Sequence, residues 1–370
     1  MKIVITGGIG SGKSTVTQLL GKLLPEFKIL SIDKLVESMY ENPEIGDRLI
    51  ERLGSKDKKV VSDIVFRDKI LREAVEQLFA TQIRLAINQE MALYENVIIE
   101  FPLLFEKGQD LIGKFDYIVS VMAEESLRTK RVMERNSFSL EKVKAIIAAQ
   151  IKDYERLDKS NYAIYNEGDL NDLTTSVENL AYELRIAYAI QNKQRVGVIS
   201  GSFDPITLGH QSIIERALNV VDLLVIAVAR NPQKKYMFSE TERIELIKRS
   251  LEEQMPNLNR IAIKVIPEGE LTVTFAESVG ASFIFRGLRG VIDLDYENQL
   301  DLVQKRIAPN IDTIYLITSR ELIEISSSMI KSSLQYREWM RVAKPYVSSA
   351  VFQKLSDVVQ VQYFKNFLTW

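Results

Sequence analysis

The run Gly7-Gly8-Ile9-Gly10-Ser11-Gly12-Lys13-Ser14-Thr15 puts four glycines, one lysine and three hydroxyls into nine residues, directly after the apolar stretch Lys2–Ile5. That spacing satisfies G-x-x-x-x-G-K-[ST], whose chemistry is the grip of a triphosphate. Glycines let main-chain amides converge on phosphate oxygens, and the helix expected from Lys13 onward adds its positive end. On this reading ATP lies along Gly10, Ser11, Gly12, Lys13, Ser14 and Thr15. Lys13 bridges the β- and γ-phosphates and Ser14 ligates Mg²⁺. Transfer of phosphate to an alcohol also needs a group that orients or deprotonates the alcohol. Asp33, just beyond the apolar run Lys28–Ser31, is the natural candidate for that role; the alternative is capping a helix that starts at Lys34. Arg128, Arg131 and Arg135 share one helical face, the arrangement of lid arginines or of an ordinary charged surface.

A second constellation lies half a chain further on. Gly201-Ser202-Phe203-Asp204-Pro205-Ile206-Thr207-Leu208-Gly209-His210 follows the apolar run Val196–Ser200 and holds the only histidine of the protein. Thr207-Leu208-Gly209-His210 has the T/H-x-G-H form of nucleotidylyltransferases. An imidazole there can hydrogen-bond oxygens of ATP and the charge that develops at its α-phosphorus. A lone histidine is usually structural, but this flanking pattern favours the functional role. Three further segments supply cations or amides: Asn231–Lys235 with Lys234, Phe285–Arg289 with Arg286, and Ile325–Lys331 with its three serines. Parallel-sheet enzymes bind ligands beyond the carboxyl ends of their strands, so these segments should converge on one crevice. Taken singly, each is a surface lysine, an exposed arginine turn or a serine cap.

Both constellations need strands that end where the chemistry starts. The chain alternates apolar runs and amphipathic stretches from end to end, the pattern of an α/β protein with parallel sheets. In the first half, strands are expected at Lys2–Ile5, Lys28–Ser31, Val97–Glu100, Tyr117–Met122 and Tyr162–Ile164. In the second they are expected at Val196–Ser200, Leu223–Ala229, Ile261–Ile266, Phe283–Arg286 and Ile314–Thr318. A helix over Asn171–Ile190 and the polar run Gln191–Arg195 separate the two sets, placing domains at 1–190 and 191–370. The run has neither glycine nor proline, which stiffens it as a linker. A length of 370 residues exceeds what one core usually serves. With 48 basic against 50 acidic residues, the balance gives no footprint for nucleic acid or an anionic membrane. No apolar run is long enough to span a bilayer. Cysteine is absent, which excludes disulfides, thiolate metal sites and cysteine nucleophiles and fits a cytoplasmic enzyme.

The first half, Met1 to about Leu184, resembles the dephospho-coenzyme A kinases. The matching pieces are Thr6–Thr15, Asp33, Val65-Phe66-Arg67-Asp68 and Pro102-Leu103-Leu104-Phe105-Glu106, with Ala148-Ala149-Gln150 and Asn166-Glu167-Gly168 matching more weakly. Departures fall on the acceptor side. Ser31 replaces an aspartate, Ala80-Thr81 stands for a His-Pro pair, and Ile146 stands where an arginine is expected. The resemblance implies a P-loop kinase fold with a parallel sheet, and ATP and Mg²⁺ as ligands. A kinase-like module that binds nucleotide without turnover is the alternative raised by those departures.

The second half, Gln194 to about Lys354, is similar to bacterial-type phosphopantetheine adenylyltransferases. Gly201–Thr207, Asn231-Pro232, Met237–Ser239, Leu271–Val273, Arg286–Arg289, Tyr296-Glu297 and Ile325–Ser328 match in order and spacing. That resemblance implies a Rossmann-like nucleotidylyltransferase fold in which Ser202, Lys234, Thr272 and Arg286 contact phosphopantetheine. ATP would be held by Ser202, Phe203, His210, Gly287, Leu288, Arg289, Glu297, Leu322, Ile323, Glu324, Ile325, Ser326, Ser327 and Ser328. His210, Lys234 and Arg286 would be catalytic, as would Asp33 and Lys13 in the first half. Homo-oligomers are common among such proteins. Ser200 in place of a proline and the Arg320–Ile323 loop are small departures. A nicotinate-mononucleotide adenylyltransferase is the rival, opposed by Arg286–Arg289 and Tyr296-Glu297. Together the halves imply two successive steps of coenzyme A synthesis.

Overall fold

A computed structural model describes residues 1–368 except 59, 62, 63, 65–67, 232, 233, 256 and 257; at 69, 291, 292, 296 and 361–368 it describes the backbone alone. Val65, Phe66, Arg67 and Pro232 of the family matches, and the side chain of Tyr296, therefore lie outside the described residues. Two compact units divide the chain, Met1–Ala181 and Tyr182–Trp370.

The first unit holds β1 (Lys2–Gly7), β2 (Lys28–Ser31), β3 (Val97–Glu100), β4 (Tyr117–Met122) and β5 (Tyr162–Tyr165). They form a parallel sheet in the order β2-β3-β1-β4-β5. β1 and β3 are buried nearly throughout, as strands covered by helices on both faces must be. The chain leaves β1 toward β2 and leaves β3 toward β4, so β1 and β3 flank the switch point where the loops above them part. Every strand falls where the sequence puts it.

The second unit repeats the principle with β6 (Val196–Gly201), β7 (Leu223–Val228), β8 (Ile261–Val265), β9 (Phe283–Leu288) and β10 (Asp312–Ile317), parallel in the order β10-β9-β6-β7-β8. Strand alternation builds its two cores. Ile199, Leu224, Ile226 and Val228 face one layer with Phe203, Ile213, Ile214 and Ile247. Val196, Val198, Leu223, Val225 and Ala227 face the other with Ile186, Val273, Phe275 and Ala276. Burying each of these larger side chains contributes about 1.5–3 kcal/mol before chain entropy is set against it. The switch point lies between β6 and β9.

The division differs from the expected 190/191 boundary. Helix Leu170–Gln191 spans it: Leu173, Val177 and Leu180 precede the division, while Ile186 and Ala189 belong to the core of the second unit. The apolar stripe of that helix is continuous, so periodicity alone gives no sign of a change of unit. No helix among the described residues is long and apolar enough to cross a membrane.

Candidate active sites

In the first unit, β1 delivers the chain into a loop whose turns need glycine: Gly10 and Gly12 have φ of 75° and 94°. Helix Lys13–Leu23 starts at once, with Gly12 accepting from the Val16 amide at 3.1 Å. Lys13 is buried, and its Nζ donates to Gly8 O at 2.9 Å. Burial pushes its ammonium down to about 8, against the opposing pull of Glu100 and Asp33. Ser14 Oγ donates to Glu100 Oε1 at 2.6 Å across the switch point, since Glu100 is the last residue of β3.

Asp33 stands in the first turn of helix Ile32–Glu41; Ser31 is the N-cap and makes no side-chain capping bond. The capping role is thereby corrected: the helix starts two residues earlier than expected. Crowding by protein raises the Asp33 carboxyl, Glu100 raises it further, and Lys13 opposes both. Although its side chain has an exposed edge, it lies at a largely apolar cavity of about 190 Å³ walled by Phe79, Ala80, Ile83, Phe101 and Leu103. Ala80, one of the departures from the kinase pattern, thus lines this cavity. Thr81 instead returns its hydroxyl to Gln77 O.

The arginine face is only partly a lid. Arg128 is buried, paired with Asp153 at 2.9 Å, and so close to the loop that a Cβ on Gly8 would meet its NH1 at 2.0 Å. Arg131 donates to Asn166 O at 3.1 Å. Arg135 is exposed, and its charge is felt by both Lys13 and Asp33. Beneath the loop, fully buried Arg156 reaches Thr6 Oγ1 and Glu106 Oε1, each at 3.4 Å. Gln150 accepts the Ile9 amide at 2.9 Å, and Asn166 Nδ2 donates to Ser11 O at 2.8 Å.

In the second unit a cavity of about 310 Å³ opens at the carboxyl ends of β6 and β9. Ser202, Phe203, His210, Lys234, Arg286, Gly287, Arg289, Glu297, Ile325, Ser326, Ser327 and Ser328 line it. Phe203 holds φ 47°, a left-handed conformation costly for a bulky residue, and its ring meets the His210 ring edge-on at 5.2 Å. His210 is the third residue of helix Leu208–Ala217, and its Nδ1 accepts the Thr207 amide at 3.1 Å. Burial, with help from the Arg289 charge, pushes the ring down to about 4. An accepting Nδ1 on a neutral ring leaves the proton on Nε2, so the imidazole is a donor.

Arg286 reaches Ser200 Oγ at 2.9 Å and Glu297 at 3.3 Å. Buried Asp204 accepts from the Met237 and Phe238 amides and from Lys331 at 2.7 Å. Buried Arg243 donates to Ser202 O at 2.7 Å and Ala229 O at 3.3 Å, tying the ends of β6 and β7. Its guanidinium covers the ring of Tyr236, whose hydroxyl bonds the main chain of Asn231 at the start of the Lys234 loop.

Some expected residues fall outside this cavity. Thr272 opens helix Thr272–Ser278 and reaches Ser200 Oγ at 3.5 Å, one residue removed from the lining. Leu288 is buried, and Leu322, Ile323 and Glu324 are not in the wall, although Leu322 O lies near Gly209. β9 runs two residues beyond the expected Arg286, so Gly287 and Leu288 lie within it rather than beyond it. Sequence reasoning missed Glu100, Arg243 and Lys331 as site residues. Only Glu100 carried a signal, an acid closing an apolar strand beside the phosphate loop.

The chain was compared with known proteins. A family model described as dephospho-CoA kinase matches residues 1–172, and one described as cytidylyltransferase-like matches residues 198–333. The phosphopantetheine adenylyltransferase of Desulfotalea psychrophila is 46% identical over 136 residues, which are 37% of this chain and 78% of that protein. That of Desulforamulus reducens is 40% identical over 163 residues, 44% of this chain and 96% of that protein. A solved dephospho-CoA kinase from Campylobacter jejuni is 26% identical at a TM-score of 0.39, covering 49% of this chain and 96% of its own.

Proposed function

Because the chain belongs to the phosphopantetheine adenylyltransferases through its second unit, with a dephospho-CoA kinase domain ahead of it, we propose that each of the two sites above carries one of two consecutive reactions. The enzyme joins ATP to 4′-phosphopantetheine, giving dephospho-coenzyme A and pyrophosphate, and then phosphorylates the ribose 3′-hydroxyl of that product to give coenzyme A.

In the first reaction the nucleophile is a phosphate, largely ionised at neutral pH. Its oxygen attacks the α-phosphorus of ATP, the bond to the β-phosphate bridge breaks, and pyrophosphate leaves. We assign Arg286 and Lys234 to the incoming phosphate, and His210 Nε2–H with the Ser326–Ser328 segment to the triphosphate. The neutral donor on His210 is the observation that carries this assignment. It stabilises charge at phosphorus without competing for the proton of any substrate.

In the second reaction Asp33 takes the proton of the 3′-hydroxyl while its oxygen attacks the γ-phosphorus; ADP leaves, with Lys13 on the β- and γ-phosphates. The raised Asp33 carboxyl suits a base at neutral pH. Ser14 and Glu100 offer adjoining oxygens of the kind a hard cation takes, and would hold Mg²⁺. When bound, that ion neutralises phosphate charge. We place the enzyme in the cytoplasm, a reading that its use of ATP and its cysteine-free chain support.

The test uses the full chain with 4′-phosphopantetheine and ATP, following pyrophosphate, dephospho-coenzyme A and coenzyme A. Lys13→Ala should stop the sequence at dephospho-coenzyme A. His210→Ala should fail at the first step yet still phosphorylate added dephospho-coenzyme A. Loss of both steps in either variant would refute the division of labour.

A further inference from the structure

We propose that Asn166 is a positioning residue that aims the amide of Gly12 into the phosphate cradle of the first unit. Its place is fixed by the sheet: it directly follows β5, and its amide donates to Met122 O at the end of β4 at 2.8 Å. From there the side chain, itself buried, donates from Nδ2 to Ser11 O at 2.8 Å. A peptide unit is planar and trans, so its C=O and N–H point in opposite directions. Holding Ser11 O toward Asn166 therefore turns the Gly12 N–H the opposite way.

The contact also accounts for Gly12 beyond its φ of 94°, because a Cβ there would lie 2.1 Å from Asn166 Nδ2. A glycine on one side of the peptide lets it flip, so something must choose its orientation. Asn166 makes that choice, and its own carbonyl accepts from Arg131 at 3.1 Å. One residue thereby ties the loop to the arginine helix Glu125–Asn136.

The inference rests on the kinase reading of this unit. Coenzyme A formation from dephospho-coenzyme A is measured for the full-length wild type, Asn166→Ala and Asn166→Asp, with KM for ATP and for dephospho-coenzyme A determined separately. Asn166→Ala frees the peptide and should raise KM for ATP roughly fivefold, the worth of one buried hydrogen bond. Asn166→Asp keeps the shape but sets a carboxylate against Ser11 O, driving the flip, and should raise it roughly fiftyfold. KM for dephospho-coenzyme A should stay within about twofold, as should adenylyl transfer by the same chains.

A packing role would make alanine worse than aspartate, and simple repulsion of ATP by a new charge would leave alanine normal; either result overturns the inference. If Asn166→Asp is not recovered folded, Asn166→Ser, whose hydroxyl ends one heavy atom short of the Nδ2 that bonds Ser11 O at 2.8 Å, is read on the same constant and must match alanine. A wild type unable to phosphorylate dephospho-coenzyme A would instead refute the kinase reading.

Discussion

Replacing His210 by alanine separates two jobs the structure gives to one ring. On the cavity side the ring presents a neutral Nε2–H; on the other side Nδ1 accepts the Thr207 amide and so caps helix Leu208–Ala217. Losing a pre-positioned donor to developing charge typically costs 10²–10³ in kcat, about 2.7–4 kcal/mol of barrier. Losing the cap costs about 1 kcal/mol of stability, a shift of roughly 2–4 °C in Tm for a unit of this size. The edge-on contact with Phe203 adds about 0.5–1.5 kcal/mol. Pyrophosphate release at saturating ATP and 4′-phosphopantetheine reads the first effect, and thermal unfolding reads the second. Because the ring is held near 4, its own titration should add no inflection to kcat/KM between about pH 5 and 8. The rise near pH 6 from the phosphate of the substrate should persist in the variant. A variant losing less than tenfold in kcat, or a wild-type inflection near 6.5 that disappears with the ring, would refute a neutral donor.

Three further outcomes follow from the same contacts. Lys13 has a folded value of about 8 against an ordinary 10.5, so raising the pH through 8 strips the charge that grips ATP; KM for ATP in the kinase step should climb there. The free protein should respond with the opposite sign, since a lowered lysine value penalises folding at low pH and is relieved as pH rises toward 10.5; a KM flat to pH 9 would remove this basis. Gly8→Ala drives a Cβ onto the pinned Arg128 guanidinium and should cost about 1–3 kcal/mol in unfolding together with most kinase activity, leaving adenylyl transfer intact; an unchanged KM for ATP would contradict it. Arg243→Met frees the carbonyls of Ser202 and Ala229, so denaturant unfolding should fall by about 1–3 kcal/mol and KM rise for both adenylyl-transfer substrates; unaltered KM values would show that Arg243 serves stability alone.

What was legible in the sequence was local. Gly7–Thr15 and Gly201–His210 each build a strand end, a turn and a helix start from consecutive residues, so their chemistry shows in their spacing. Contacts between distant residues left little trace. Ser14 meets Glu100 across 86 residues, and Asn166 meets Ser11 across 155, because β3 returns the chain beside β1 and β5 returns it beside β4, the other neighbour of β1. Arg156 and Arg243 read as charges on amphipathic helices, yet both are buried, with stems filling core and forks reaching carbonyls or acids. The hydroxyl of Thr272 reaches Ser200, which also accepts from Arg286, a further pair of contacts between distant residues. The helix Leu170–Gln191 hid the change of unit because an apolar stripe has the same period whichever core it faces.

The acid–base character of the two sites suits each to a different one of the two proposed reactions. A ribose hydroxyl must lose its proton to attack, and only the first unit places a carboxylate of raised affinity for protons beside its phosphate loop. Among the described residues around the second cavity, three candidates for a base are committed or too weak. His210 is held near 4, Asp204 accepts two amides and Lys331, and Glu297 faces Arg286. On the proposed reading, that cavity suits a nucleophile that arrives ionised, as a phosphate does, because none of these three groups is poised to take a proton from a hydroxyl. Adenylyl transfer to the phosphate must come first, because it attaches to phosphopantetheine the adenosine whose ribose hydroxyl the site with the carboxylate is proposed to phosphorylate.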